Sequence, residues 1–374
     1  MGLFLSRPKS FAFPKRCEIM LHEAGSEYLE RFCAGYSTGF FQTNGDFCIN
    51  VPAFLLSMTS TKFWSGRVLE AYNKAYLRLS GARLILTVID NNTNFYLISG
   101  ACRGVTTMMV QNGTRDDFLA NLSGPWHVDY MLVMGRCVEN YMKKISGTIV
   151  LSGSVISNEI SVNRAKKSRR VVFFSQYRYF IKYPPLYVVG KLISWEDIYT
   201  AEEKVLPSLA AWCASRGLEL VVAGCAPSEV VEREKQFYEQ LLDGHEWSFK
   251  AKRDSSSYRL ADDCLLGVSI NSTIGFESFG RGNRTAIFMV RGACLGLSGY
   301  SLGLKEAENE YPFITFKPDE REYFRILDYL LGVGDEEWNS VCERYREEIM
   351  FFDPGNTVIR SLIKKVLEDK PPRR

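Results

Sequence analysis

Short apolar runs rich in β-branched or aromatic residues alternate along this chain with longer segments in which apolar positions recur every three to four residues. The first kind fits a buried strand of a parallel sheet and the second an amphipathic helix, so the alternation predicts βα units. In the first half, CEIML (17–21), RLILTVI (83–89), TTMMV (106–110) and YMLVM (130–134) are predicted strands, and SEYLERF, FWSGRVLEAYNKAYLRL and VENYMKKI are predicted helices. In the second half, RRVVFFS (169–175), LELVVAG (218–224), CLLGVSI (264–270) and RTAIFMV (284–290) repeat the pattern. Their helices are AEEKVLPSLAAWCASR, EVVEREKQFYEQLL and the segment after Ser272. A last amphipathic stretch, NTVIRSLIKKVLEDK, follows the breaker DPG and is predicted to dock back on the body as a terminal helix.

The basic string NRAKKSRR (163–170) separates the halves and reads as a solvated hinge. The predicted organisation is a first domain over residues 1–162, a second over 163–355, and a terminal helix and tail over 356–374. The fold class is α/β, with two doubly wound domains facing across a cleft. Such sheets bind ligands just beyond the carboxyl ends of their strands, so chemistry is expected in the residues after each strand.

Composition agrees with two cores, since 374 residues with 46% hydrophobic content exceed what one ordinary core needs. Lys and Arg number 46 against 43 Asp and Glu, too even a balance to gather nucleic acid. Ten scattered cysteines include no CxxC pair and no Cys/His cluster at zinc spacing, so a metal site is not expected and a reducing cytoplasm is. No apolar run reaches the roughly 18 residues of a membrane span. The opening MGLFLSRPKSFAFPKR has too short an apolar stretch for a signal peptide and matches only the loose Gly2 acylation pattern. With Phe4, Phe11 and Phe13 set among Arg7, Lys9, Lys15 and Arg16, it reads either as a poorly ordered tail or as an arm touching an anionic membrane surface.

Several strand ends carry polar groups. In HEAGSE, either Ser26 and Glu27 cap the next helix or Glu23 is presented to the cleft as a base. Asp90 ends a strongly apolar run and is followed by Asn91 and Asn92; an ionised carboxylate there needs a turn's amides or the cleft, and the cleft is favoured. After the third strand, Gln111 and Asn112 offer amides, Gly113 a tight turn or close approach, and Arg115 a fork for phosphate or carboxylate. In the second half, Ser175, Gln176 and Arg178 follow one strand, and Gly224 ends the next. His245 reads as a surface residue. Ser272 and Thr273 stand where a helix start would offer amide donors to a phosphate, Gly275 allows close approach, and Glu277 is placed to accept both hydroxyls of a ribose. The plain alternative is a Ser/Thr cap with an acidic first turn.

The ordered set LTVIDNNTNFY, MMVQNGTRDDF, YMLVMGRCVENYMKKI, LSGSVISN, VVFFSQYR, SINSTIGFESFGRGNRTAIF and IMFFDPGNTVI resembles bacterial O-antigen, or surface carbohydrate, biosynthesis proteins over nearly the whole chain after residue 17. That family is similar to two-domain glycosyltransferases of GT-B type, and more distantly to CDP-glycerol phosphotransferases and capsular Kdo transferases. The resemblance implies two Rossmann-like domains: the second binds a nucleotide sugar, and the first a polysaccharide or lipid-linked glycan acceptor. The enzyme would be cytoplasmic or peripheral at the inner membrane face and need no cofactor. Where the distant phosphotransferases carry a His-Gly pair, this chain has Asn112 before Gly113, and an amide cannot take a proton. The expected base is therefore Asp90, with Glu23 as alternate. Cys225 stands where relatives tend to place a basic residue. The alternatives are CDP-alditol phosphotransfer on the same fold, or a non-catalytic nucleotide-sugar-binding subunit.

Overall fold

A computed structural model describes residues 6–43, 45, 47–102, 104–114, 126–140, 145–162, 168–177, 186–188, 191–194, 196–252, 256–297, 301–306 and 310–368. Its first sheet has six strands: β1 (Ile19–His22), β2 (Thr38–Phe41), β3 (Leu84–Thr87), β4 (Thr106–Val110), β5 (Trp126–Val133) and β6 (Ile145–Leu151). They lie in the order β2-β1-β3-β4-β5-β6, every neighbouring pair parallel. The second sheet has β7 (Arg170–Phe174), β8 (Glu219–Ala223), β9 (Ser248–Lys250), β10 (Leu266–Ser269), β11 (Thr285–Phe288) and β12 (Ile314–Thr315). Its order is β9-β8-β7-β10-β11-β12, again all parallel.

Helices cover the sheets. Those of the first half are α1 (Val51–Ser57), α2 (Thr61–Trp64), α3 (Val68–Ser80) and α4 (Thr93–Ala101). The second half contributes α5 (Thr200–Ser215), α6 (Val231–Leu241), α7 (Ser256–Asp263), α8 (Thr273–Gly280), α9 (Arg291–Leu295), α10 (Glu320–Gly332), α11 (Asp335–Ile349) and α12 (Thr357–Glu368). Central strands such as β1, β3, β4 and β10 are buried at every position, as expected for a parallel sheet covered on both faces.

Several elements differ from the reading of the sequence. The predicted helix over FWSGRVLEAYNKAYLRL is cut into α2 and α3, because the chain turns at Gly66 with φ +86°. SEYLERF forms a 3₁₀ helix, Ser26–Phe32. VENYMKKI begins in a second 3₁₀ helix, Arg136–Asn140, and its final Ile145 opens β6.

Doubly wound sheets have a crevice where the strand order reverses direction. In the first sheet it lies between β1 and β3, so the residues after them, Glu23 and Asp90, flank it. In the second it lies between β7 and β10, flanked by Ser175–Gln176 and by Asn271–Thr273.

The lobes are joined by more than the hinge. After α11 the chain crosses back: Phe351 N–H donates to Met134 O at 2.6 Å, and Asp353 N–H to Asn158 Oδ1 at 3.0 Å. Gly135 and Gly153 make room, since a Cβ on them would lie 2.4 Å from Ile349 O and 2.2 Å from Phe351 O. Asp353 then receives Thr357 Oγ1 and Val358 N–H at the start of α12. That helix buries Ile359, Ile363, Val366 and Leu367 on the first lobe, in one cluster with Ile19, Leu21, Leu84 and Leu86.

A second clasp is Arg281, which is 1% exposed. Its Nε and Nη2 fork onto Asp262, while Nη1 donates to the carbonyls of Ser157 and Ile160 and Nη2 also to Ser161. All five guanidinium donors of a second-lobe residue are thus satisfied, three of them by the last segment of the first lobe.

Candidate active site

The first-lobe crevice is built around the end of β1. Glu23 leaves the strand with φ +69°, a conformation that costs a non-glycine residue about 1 kcal/mol or more. Its Oε1 accepts from Thr43 N–H at 2.9 Å and Thr43 Oγ1 at 2.5 Å, and lies 3.4 Å from His22 Nε2. His22 is wholly buried between Phe41 and Phe95, and neither ring nitrogen makes a hydrogen bond. Burial lowers its pKa to about 3, so the imidazole is neutral at pH 7. Ser26 does not cap the following helix: its hydroxyl donates to His22 O and accepts Val88 N–H, stapling β1 to the loop after β3.

Asp90 is also fully buried, and its backbone carbonyl accepts from Tyr96 Oη at 2.5 Å. Asn92 is a helix cap, with Oδ1 accepting Asn94 N–H at 3.0 Å at the start of α4, whereas Asn91 is exposed. The side-chain oxygen of Asn92 is therefore a local cap, as the Asx-turn alternative holds, while its Nδ2 is buried without a hydrogen bond among the described residues.

Gln111 is a brace, not a free amide. Its Nε2 donates to Gly113 O at 2.8 Å and its Oε1 accepts Met134 N–H at 2.8 Å, fixing the loop after β4 to the end of β5. Asn112 stands exposed beside it. Arg115 and Arg178 lie outside the described residues.

In the second lobe, much of the predicted phosphate-binding surface is structural. Ser175 is buried, donating to Glu234 Oε1 and accepting from Tyr238 Oη and Tyr177 N–H. The same Glu234 accepts the amides of Cys225 and Ala226 at 2.9 and 3.0 Å. Gly224 is required because a Cβ would lie 2.6 Å from Phe249 Cζ and 2.8 Å from Glu234 Oε2. Gly275 is likewise a packing glycine, a Cβ there falling 2.2 Å from Ser269 Cβ. Glu277 does not face the cleft: it is 5% exposed, with Oε1 bonded to Ser154 and Oε2 to Tyr258 at 2.9 Å. Burial raises its pKa, partly offset by those two hydrogen bonds and by Arg281. With both carboxylate oxygens bonded, one to Ser154 of the first lobe and one to Tyr258 of the second, the predicted ribose role gives way to one of joining the lobes.

What does face the seam is the start of α8. Ser272 caps it in extended geometry but makes no side-chain capping bond, and residues 272–274 are half-buried. The first-turn amides therefore have no hydroxyl cap competing with a ligand. Thr273 Oγ1 bonds Thr114 N–H at 3.1 Å and Thr114 Oγ1 at 3.2 Å, and a Cβ on Gly113 would sit 3.3 Å from it. The loop after β4 and the start of α8 are in direct contact across the lobes. A small pocket beside them is lined by Gln111, Thr114, Met134, Val138, Phe276 and Ile349, among others.

Reading the sequence missed Arg291. It is 5% exposed, donates to Asn271 Oδ1 and Gln176 Oε1 at 3.0 Å each, and pairs with Glu202 at 2.7 Å. It ties both flanks of the second crevice to α5. Its place just after the fourth predicted strand of that half was the available signal.

A family described as "putative O-antigen biosynthesis protein" matches residues 108–367 of the 374. The chain belongs to this family. No curated protein matches the sequence. Among solved structures the O-antigen biosynthesis chain is similar to a "putative UDP-N-acetylglucosamine 2-epimerase" of Listeria monocytogenes (12% identity, TM-score 0.54, 97% of this chain and 99% of that one). It is also similar to the UDP-GlcNAc 2-epimerase of Neisseria meningitidis bound to UDP-GlcNAc (9%, 0.52, 94% and 99%) and to S. aureus MnaA with UDP (10%, 0.51, 96% and 100%). At these identities the likeness is one of fold: two Rossmann-like domains in the GT-B arrangement. The family match begins inside β4, so it takes in the seam loop, the whole second sheet and all but the last residue of α12.

Proposed function

We propose that this member of the O-antigen biosynthesis family is a glycosyltransferase. It moves a sugar from a nucleotide-activated donor to a surface-polysaccharide acceptor, lipid-linked and at the cytoplasmic face of a membrane, without a metal ion. Family membership supports the pathway class, and the fold supports a two-lobed transferase. The observation that carries the reading is the contact of Gly113 and Thr114 with Thr273, which sets an acceptor-side loop against a helix start without a side-chain cap.

In this reading the donor's phosphates lie on the amides of Thr273 and Ile274, which stabilise charge as it develops on the leaving nucleotide. The acceptor oxygen bonds to the anomeric carbon, the bond from that carbon to the phosphate oxygen breaks, and the acceptor proton passes to Glu23. Glu23, itself 4% exposed, takes this role ahead of Asp90 because its left-handed turn sets it at the end of β1 and Thr43 engages only its Oε1, whereas Asp90 is 0% exposed and serves as a positioning residue. Gln111 holds the loop; Asn112 and Arg115 contact substrate. Arg291 presents Gln176 and Asn271 to the nucleotide.

Thermal shift against CMP, CDP, UDP, GDP and dTDP tests the binding half: one class should stabilise the protein. Ser272 has ψ 135°, which tolerates a following proline, so Thr273→Pro deletes one amide donor at a position where helices accept proline. Nucleotide binding should weaken about tenfold or more in that variant. Thr273→Val keeps the amide and should bind nearly as wild type. No stabilisation by any nucleotide, or equal binding by both variants, would sink the reading. Incubation with donor and glycan acceptor then separates chemistries: a phosphorus-free glycosyl product is expected, phosphorus in the product means phosphotransfer, and donor isomerisation without acceptor means epimerisation.

A further inference from the structure

Two stretches of the first lobe contain no acidic residue at all, 6–17 and 47–69. The fold joins them. Lys9–Ser10 pairs in parallel with Ile49–Asn50, and Asn50 Nδ2 donates to Ala12 O at 2.7 Å while its Oδ1 caps α1. Phe54 of α1 meets Phe63 of α2 edge-on at 5.6 Å, and Trp64 Nε1 donates to Met58 O at 2.7 Å. The N-terminal segment, α1 and α2 are thus one continuous unit.

That unit carries four of the five most exposed large apolar side chains among the described residues: Phe11 at 76%, Phe13 at 74%, Trp64 at 70% and Leu55 at 59%. Phe11 and Phe13 flank Ala12, whose carbonyl is held by Asn50, so they are presented on anchored backbone. Trp64 has its indole N–H satisfied internally, leaving its ring outward. Lys9, Lys15 and Arg16 are exposed between or beside the phenylalanines. The nearest carboxylate on the α2–α3 side, Glu70, is buried and already paired with Lys62 and Arg67. Aromatic rings among cations, with the adjacent Glu18 engaged by Ser37 and Arg83, suit a surface that is anionic above and apolar beneath.

We propose that this unit is a docking surface for an anionic lipid bilayer, with Phe11, Phe13, Leu55 and Trp64 entering the interface and Lys9, Lys15 and Arg16 meeting lipid phosphates. The proposal deepens the reading of a lipid-linked acceptor, and it gives the acceptor-side lobe the membrane contact.

Its test needs no turnover. Full-length protein is sedimented with vesicles of phosphatidylcholine alone or with added phosphatidylglycerol at about 0.1 M salt, where screening reaches about 10 Å. Binding to the anionic vesicles only, and its loss at high salt, is expected. Phe11→Ser with Phe13→Ser should cut that binding at least tenfold. Lys15→Glu with Arg16→Glu should cut it by more than the about twenty-five-fold expected from removing two cations at about fivefold each. Both pairs should leave the melting temperature unchanged. Trp64 emission should shift to the blue on binding, a shift absent in Trp64→Phe. No binding, equal binding to neutral vesicles, or binding indifferent to both pairs would overturn the proposal. So would self-association abolished by these substitutions in a protein that ignores vesicles, which would make the unit a contact between copies. A protein that docks yet transfers nothing would leave this surface standing and remove the transferase.

Discussion

Glu23 combines a left-handed backbone with a carboxylate held by Thr43 and approached by a neutral imidazole, and each of these can be tested singly. Glu23→Gln keeps the shape and the hydrogen bond from Thr43 but cannot take a proton; glycosyl transfer should fall by 100-fold or more, in the range of about 10²–10⁴ for general bases, with nucleotide affinity unchanged. Asp90→Asn, as a positioning change, should cost less and leave the pH profile in place; the reverse ranking would restore Asp90 as the base. His22 makes a separate prediction about stability. Its folded pKa of about 3 lies below the ordinary 6.5, so the unfolded chain binds a proton the native state refuses. Stability from this source is complete above pH 6.5 and is lost progressively as pH drops toward 3. Urea titrations should show His22→Met with a shallower acid limb by about one proton, whatever its stability at pH 7.

At the scale of elements, the legible parts were those where one physical demand dominates. TTMMV coincides with β4 residue for residue because a central parallel strand is buried on both faces and reads as an unbroken apolar run. The edge strands β2, β6, β9 and β12 went unread: three have only two to four residues, and the seven-residue β6 is exposed at the Ser-Gly-Thr near its start, so none leaves an unbroken apolar run. In the site, the strand ends were legible but their partners were not: that Glu234 staples Ser175, or that Arg291 reaches Glu202, depends on contacts 59 and 89 residues apart. Gly275 shows the consequence. It was read as room for a ligand, yet it lets α8 lie against β10, so Gly275→Ala should destabilise by about 1–3 kcal/mol through overpacking, even without nucleotide. Loss of nucleotide affinity with unchanged stability would return it to the ligand. The Arg281 clasp is similar: Arg281→Met leaves Asp262 buried without its cation and should cost about 3–5 kcal/mol in denaturant unfolding. Adding Asp262→Asn should recover part of that loss, since the two act as a unit.

For the whole molecule, the crossing of residues 350–356 means that the lobes are not two beads on a hinge. α12 comes last in the chain but completes the first lobe, covering Ile19, Leu21, Leu84 and Leu86 with four buried apolar side chains. At about 1.5–3 kcal/mol for each fully buried side chain, that helix contributes as much as the net stability of a typical domain. A fragment cut at the predicted hinge, residues 1–162, should therefore be poorly soluble and bind a hydrophobic dye, although it contains every strand of its own sheet. Supplying residues 350–368 as a peptide should suppress dye binding and restore cooperative melting; a fragment that folds alone would show α12 to be dispensable. The same architecture gives the seam its character. Because α8, Arg281 and α12 each tie the second half to the first, Gly113 and Thr273 are held in register from three directions. A transferase built this way would close by small adjustments around a fixed contact, so substitutions that loosen α12 should weaken nucleotide binding at Thr273 without touching it. Ile363→Ala measured in the nucleotide thermal-shift assay is the direct test: a variant that stays folded and binds nucleotide as tightly as wild type would uncouple the two.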